Sequence, residues 1–333
     1  MPDLPRVALI LTGGTIDSLG RDRLHLAGYE ETGQRLGPGE LLARVPELKA
    51  IARVEEVPFA RLPSPAITAG DWLELNRLLH QLLEPDDLHG AVITHGTNTL
   101  EETAYFLNLV LKTDKPVVLV GSMRPASALS TDADLNLVNA VRVAAAPEAV
   151  GKGALVVLND TIHAAREVTK AATYRVQTFE SRDAGPLGYA DADGRVIFYR
   201  SPVRRHTLAT PFDVRELSEL PRVDVVLSYA GQDGAMIDAA VTAGARGILS
   251  AGTGAGRVSP AEEQAFERAR AHGIVIVQSS RVGSGRVVPT SRLRQRDLIA
   301  ADNLSPWKAR ILLALALTVT ADLAEIQSMF ERY

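Results

Sequence analysis

Cysteine is absent from this 333-residue sequence. Disulfides, a thiolate nucleophile and a Cys-ligated metal are therefore excluded. Long apolar runs are also missing. The longest, residues 311–317, is far too short to span a bilayer, so no membrane partner is expected. Nor is there an excess of charge of one sign. Lys and Arg number 36 and Asp and Glu 40, for a formal net charge of -4. That balance argues against nucleic acid or an anionic membrane surface as the main partner. No repeat of short period and no low-complexity segment occurs. No His/Asp/Glu cluster has metal-ligand spacing, so neither metal nor other cofactor is expected, and His95 reads as a structural hydrogen-bonding residue. Residues 1–6 carry no basic n-region and no apolar signal core. The expected location is cytoplasmic.

What remains is an ordinary globular balance, 46% hydrophobic and 23% charged, in a length that suits one large or two ordinary domains. The chain is organised around Val7-Ala8-Leu9-Ile10-Leu11-Thr12-Gly13-Gly14-Thr15-Ile16-Asp17. Its aliphatic run lacks period-two alternation, as in a strand buried on both faces of a parallel sheet. Two glycines then permit a sharp turn and a close backbone approach to a ligand. Thr15 is presented just past the carboxyl end of the strand, where open α/β sheets bind ligands. Alone, this stretch reads more readily as a glycine-rich turn with a capping Thr. Ala91-Val92-Ile93-Thr94-His95-Gly96-Thr97-Asn98-Thr99 repeats the same grammar of strand, Gly, then Thr.

Taken in order, residues 18–40 are polar and glycine-containing, with the character of a lid loop. Helices are expected at 40–45, 68–83, about 100–112 and 133–145. Strands are expected at 51–58, 91–94, 117–120, 154–158 and, at the edge, 195–200. Thr99 and Glu102 suggest a capping box for the third helix, with Leu100, Ala104, Leu107 and Leu111 inward and Glu101, Asn108 and Lys112 outward. Residues 201–221, rich in Pro and charge, read as a linker. Beyond it, strands at 223–227, 247–250 and 274–278 alternate with helices at about 235–243, 260–270 and 306–318, the last opening with Ser305-Pro306. The predicted fold is α/β: a larger N-terminal domain (1–200) with a doubly wound, mostly parallel sheet, and a smaller C-terminal α/β domain (222–333).

The two Thr motifs together resemble the bacterial-type asparaginase/glutaminase family. The resemblance spans Leu11 to Tyr333. It includes Glu101-Glu102-Thr103-Ala104-Tyr105-Phe106-Leu107, Asp114-Lys115-Pro116-Val117-Val118, Met123-Arg124-Pro125, Asn159-Asp160-Thr161, Val168-Thr169-Lys170 and Gly185-Pro186-Leu187-Gly188-Tyr189. It implies hydrolysis of the side-chain amide of L-asparagine to L-aspartate and ammonia. By analogy Thr15 is the nucleophile, with Thr97, Lys170 and the loop residue Tyr29 as further catalytic groups. Ser64, Pro65, Gly96 and Asn98 match substrate-binding positions, Ser64 at the substrate α-carboxylate. The resemblance also implies a homotetramer built as a dimer of dimers.

Departures from the family pattern are specific. Asn98 stands where an Asp is usual, and Pro65 where a Gln follows the Ser. Arg257 replaces an Asn, and Arg292 falls near the position of a substrate-contacting Glu. A site short of carboxylates binds an ammonium poorly. That motivates a second reading, the same chemistry on a related amide lacking a free α-ammonium, unless Asp17, Glu30 or Glu31 supplies the missing acid. A third is a non-catalytic amino-acid-binding relative, disfavoured because Thr15, Thr97 and Lys170 occur together. Gly252-Thr253-Gly254-Ala255-Gly256 looks faintly like a dinucleotide loop, but its glycine spacing is wrong.

Overall fold

The computed structural model describes residues 4–333, in two compact units, Met1–Leu208 and Ala209–Tyr333. The first is built on an eight-stranded sheet: β1 (Arg6–Leu11), β2 (Arg53–Pro58), β3 (Gly90–Thr94), β4 (Val117–Val120), β5 (Ala154–Leu158) and β6 (Thr161–Ala164), then β9 (Gly188–Ala190) and β10 (Val196–Phe198). Two short strands apart from it, β7 (Thr169–Lys170) and β8 (Phe179–Glu180), form their own antiparallel ladder. The sheet order is β10-β9-β6-β5-β4-β3-β1-β2, parallel from β2 to β5 and antiparallel at the other edge.

The aliphatic strands are buried on both faces, which explains their lack of alternation. The helices of this unit are α1 (Glu40–Ala43), α2 (Ala69–Leu83), α3 (Leu100–Val110) and α4 (Ala133–Ala145). Val7, Leu9, Val92, Val118, Val120, Leu155 and Val157 form one core with Leu137, Ala140, Val141 and Ala144 of α4. By the pleat, Ile10, Ile93, Leu119 and Val156 face the other side, where α3 packs against β5 and α2 against β3. The sheet is thus doubly wound. Because β2 lies on one side of β1 and β3 on the other, the chain reverses direction at β1. The crevice of the fold opens at the carboxyl ends of β1 and β3.

The second unit has a four-stranded parallel sheet, β11 (Val223–Leu227), β12 (Gly247–Gly252), β13 (Val275–Ser280) and β14 (Ile299–Ala300). Five helices accompany it: α5 (Ala235–Thr242), α6 (Pro260–Ala271), α7 (Ser291–Gln295), α8 (Pro306–Ala316) and α9 (Leu323–Arg332).

Thr68 caps α2 and Ser259 caps α6, each in a reciprocal capping box, a device of about 1 kcal/mol. Two expected caps do not form. Ser305 precedes α8 with Pro306 at its first position, but its hydroxyl does not cap. Thr99 gives no side-chain cap to α3; its hydroxyl instead donates to the Ser64 carbonyl at 2.8 Å. The expected amphipathicity of α3 is also overturned. It is buried on all sides, Glu101 and Asn108 included, because it lies between the sheet and α2 and both polar residues find partners inside. Asn108 accepts from the Ala154 N–H.

Candidate active site

In-register pairing sets Leu11 opposite Thr94, so the turns leaving β1 and β3 are neighbours although their sequences are far apart. Thr12 ties them together, its hydroxyl donating to the Thr94 carbonyl at 2.6 Å. Both glycines of the first turn hold positive φ, +93° at Gly13 and +112° at Gly14. A Cβ on Gly14 would lie 2.6 Å from the Gly96 nitrogen, and one on Gly96 would lie 2.6 Å from the Ser64 hydroxyl oxygen. The two turns therefore pack backbone to backbone, and the Ser64 side chain closes on Gly96, with no room for a methyl group. A third turn closes in after β4, where a Cβ on Gly121 would meet the Thr97 methyl at 3.0 Å.

Thr15 opens a 3-10 turn, Thr15–Asp17, and its hydroxyl lies 2.7 Å from the Tyr29 hydroxyl. Tyr29 comes from the loop, in a second such turn flanked by Gly28 and Gly33, both left-handed. Backbone bonds from Leu19 to Gln34 and from Leu36 to Asp17 close the neck of that loop. Burial pushes the Tyr29 phenol up, with the bond to Thr15 opposing, so it holds its proton at neutral pH.

Lys170 sits on the β7–β8 ladder, outside the main sheet. Its ammonium donates to Thr97 Oγ1 and to Asn98 Oδ1, each at 2.9 Å. Burial lowers its pKa, against the nearby Glu101 charge. Glu101 is 5% exposed, and its Oε1 accepts from the Lys170 N–H at 3.0 Å and the Thr169 hydroxyl at 3.2 Å. The sequence reading had placed this side chain outward.

Ser64 is buried in the short turn Ser64–Ala66, while Pro65 beside it is exposed. His95 is fully buried. Its Nδ1 is 2.8 Å from the Gly96 carbonyl, and its Nε2 is 2.9 Å from Thr103 Oγ1, which itself receives the Trp72 indole N–H. Facing a carbonyl, Nδ1 must donate. Burial lowers the ring to about 4, so it stays neutral and fixes the Gly96 carbonyl.

Of the acids weighed as substitutes, Asp17 is committed. Its carboxylate lies 3.0 Å from Arg35 and 3.9 Å from Arg61. Glu31 is exposed, 3.9 Å from Arg21, and Glu30 is exposed next to Tyr29. In the second unit Arg292 pairs with Glu263, which also receives Arg296 at 2.6 Å. It is a structural ion pair there and not an open anion site. Arg257 is exposed, and its backbone closes the Gly252–Gly256 segment into a tight turn through two 2.7 Å bonds with Thr253. That closed turn has no phosphate-loop shape.

The first unit thus gathers two Thr hydroxyls, one bonded to a phenol and the other to an amine of lowered pKa, on adjacent strand ends. A nucleophile, a base and turn N–H groups are the parts that acyl transfer requires.

The domain family "Asparaginase, N-terminal" matches residues 6–204, and "Glutaminase/Asparaginase C-terminal domain" matches residues 222–330. "L-asparaginase 2" of Bacillus subtilis is 46% identical over 331 residues, covering 99% of this chain and 87% of that protein. "Glutaminase-asparaginase" of Pseudomonas fluorescens is 41% identical over 333 residues, covering 99% of this chain and 91% of that protein. The crystal structure of a probable cytoplasmic L-asparaginase from Campylobacter jejuni superposes with a TM-score of 0.95 at 39% identity, covering 99% of this chain and all of that one.

Proposed function

Because this chain belongs to the asparaginase/glutaminase family of amidohydrolases, we propose that it hydrolyses the side-chain amide of L-asparagine to L-aspartate and ammonia through Thr15. The observation that carries the residue roles is the pairing of each Thr hydroxyl with a proton-handling group, Thr15 with Tyr29 and Thr97 with Lys170.

In this reading Thr15 Oγ1 attacks the carboxamide carbon while Tyr29 takes its proton and gives up its own phenol proton toward the departing nitrogen. N–H groups of the turns at Gly14 and Gly96–Thr97 receive the oxyanion. The C–N bond breaks, the amine takes up a proton, and ammonia departs. Water then attacks the ester at Thr15, losing its proton to the Thr97–Lys170 pair. The C–O bond breaks and Thr15 regains its proton. Ser64 holds the substrate α-carboxylate, with Gly96, Asn98 and Pro65 shaping its surroundings.

A second reading is favoured by one observation: Asp17 is already engaged by Arg35 and Arg61, so it does not replace the acid missing at Asn98. The site then suits an amide whose α-nitrogen is absent or acylated. A lost charge-assisted contact costs on the order of 1.5–3 kcal/mol, roughly a ten- to hundredfold loss in use of asparagine.

One assay tests both readings: ammonia release from L-asparagine, D-asparagine, L-glutamine, succinamate and N-acyl-asparagine, with parent enzyme and the Thr15→Ala and Lys170→Ala variants. Each variant is expected to lose a factor of about a hundred or more in kcat. Near-parental kcat in Thr15→Ala sinks the nucleophile assignment. No ammonia from any amide would indicate a binding protein. A micromolar KM for L-asparagine with no succinamate turnover rejects the second reading. A homotetramer and a cytoplasmic location complete the proposal, the first from the family resemblance. The second accords with the description of the Campylobacter protein as cytoplasmic.

A further inference from the structure

We propose that Glu101 is a positioning residue for the lysine of this site: its buried carboxylate pins the strand that carries Lys170 and governs how readily the Lys170 amine gives up its proton. The proposal rests on the proposed role of Lys170 as base, and it assigns work to a residue outside the Thr motifs.

The geometry is a clamp. One oxygen of Glu101 accepts from two consecutive residues, the Thr169 hydroxyl at 3.2 Å and the Lys170 N–H at 3.0 Å. The two-residue strand β7 has only β8 as ladder partner, so its placement depends on such anchors. Thr97 lies in the turn just before α3, and Glu101 in the first turn of that helix. One short stretch of chain, from that turn into the helix, therefore holds the hydroxyl that Lys170 reaches and the carboxylate that holds Lys170 in place.

The charges around the amine are few and can be named. Asn98 and Thr97, its hydrogen-bond partners, are neutral. Across the ladder Lys170 faces Phe179, while Glu180 faces Thr169, is exposed, and lies 3.5 Å from Arg182. Glu101 supplies the negative charge that acts on Lys170, and it opposes the effect of burial. With a neutral residue at Asn98, burial lowers the Lys170 pKa and this carboxylate is the charge that opposes it.

The sign follows. Glu101→Gln keeps the shape and the acceptor oxygen but removes the charge. The Lys170 amine then loses its proton more readily, and the limb of the kcat/KM profile set by the free base moves to lower pH. Asn98→Asp adds a carboxylate where Lys170 donates at 2.9 Å, and moves the same limb to higher pH. Asn98 is exposed, so this second variant probes the charge without touching the buried clamp. Glu101→Ala loses the acceptor as well, and is expected to lower kcat about tenfold or more, with Gln restoring part of it. The experiment is the pH dependence of ammonia release by the full chain and these variants, with Lys170→Ala beside them. Opposite displacements in the Gln and Asp variants support the proposal. Profiles superimposable on the parent, in an enzyme that still needs Lys170, overturn it and leave the proposed function standing. Full activity in Lys170→Ala overturns the role of Lys170 and, with it, this proposal.

Discussion

At the scale of single residues, Gly14 carries the tightest constraint. Its φ of +112° with ψ of -170° belongs to a region essentially reserved for glycine, and its absent Cβ leaves the gap into which Gly96 packs. Backbone, not a flexible side chain, would meet any methyl group placed there. Gly14→Ala is therefore expected to cost about 2 kcal/mol or more, and to misplace Thr15 at the same time. Thermal unfolding should show a melting temperature lower by several degrees, and ammonia release should fall further than the lost stability explains. A variant with parental melting and parental kcat would contradict the close packing of the two turns. The run Gly13-Gly14-Thr15 was legible in sequence because a second strand-Gly-Thr stretch, Thr94-His95-Gly96-Thr97, repeats its grammar. Glu101 was not, since helical periodicity ranks faces by polarity and α3 has no solvent face.

At the scale of elements, the loop that carries Tyr29 is held at its neck by Asp17. This acid follows Thr15 by two positions and lies 5% exposed by side chain between Arg35, on the returning arm of the loop, and Arg61, on the approach to Ser64. Burial raises the Asp17 pKa despite both arginines, so desolvation outweighs what they return. The cluster is thus explained by geometry: it joins the nucleophile turn, the loop and the Ser64 arm at one point. Asp17→Asn is expected to loosen the neck. Trypsin should cut faster at Arg21 and Arg23, both exposed in the loop, and kcat should drop by roughly tenfold as the Tyr29 contact with Thr15 is lost more often. Unchanged proteolysis and unchanged kcat would show that the neck is held by its backbone bonds alone. The chain from β6 to β9 shows the limit of sequence reading at this scale. Its strands run two to four residues, too short for a period. The hairpin between β5 and β6 rests on Asn159 and Asp160, both at positive φ, in the manner of a type I′ turn.

At the scale of the whole molecule, the resemblance leads us to propose a tetramer, a dimer of dimers. Light scattering at micromolar concentration is expected to give a tetramer, and a fully active stable monomer would refute it. The sequence by itself determined the α/β class, because two-faced burial of a parallel strand writes an unbroken aliphatic run, and it placed Thr15 and Thr97 each after a strand and a glycine. It also carried the family motifs, since a turn that must hold a hydroxyl against another backbone admits few residues. What only the tertiary structure decided is which charges meet. Asp17 was open as an ammonium acceptor until Arg35 and Arg61 were found against it, and Arg292 was open as an anion contact until Glu263 was found to hold it. Glu101 was an outward charge until the β7 strand closed over it. Local spacing fixes where a side chain starts, but the partner that sets its charge comes from a segment tens of residues away, and pairing at that distance leaves no period in the sequence.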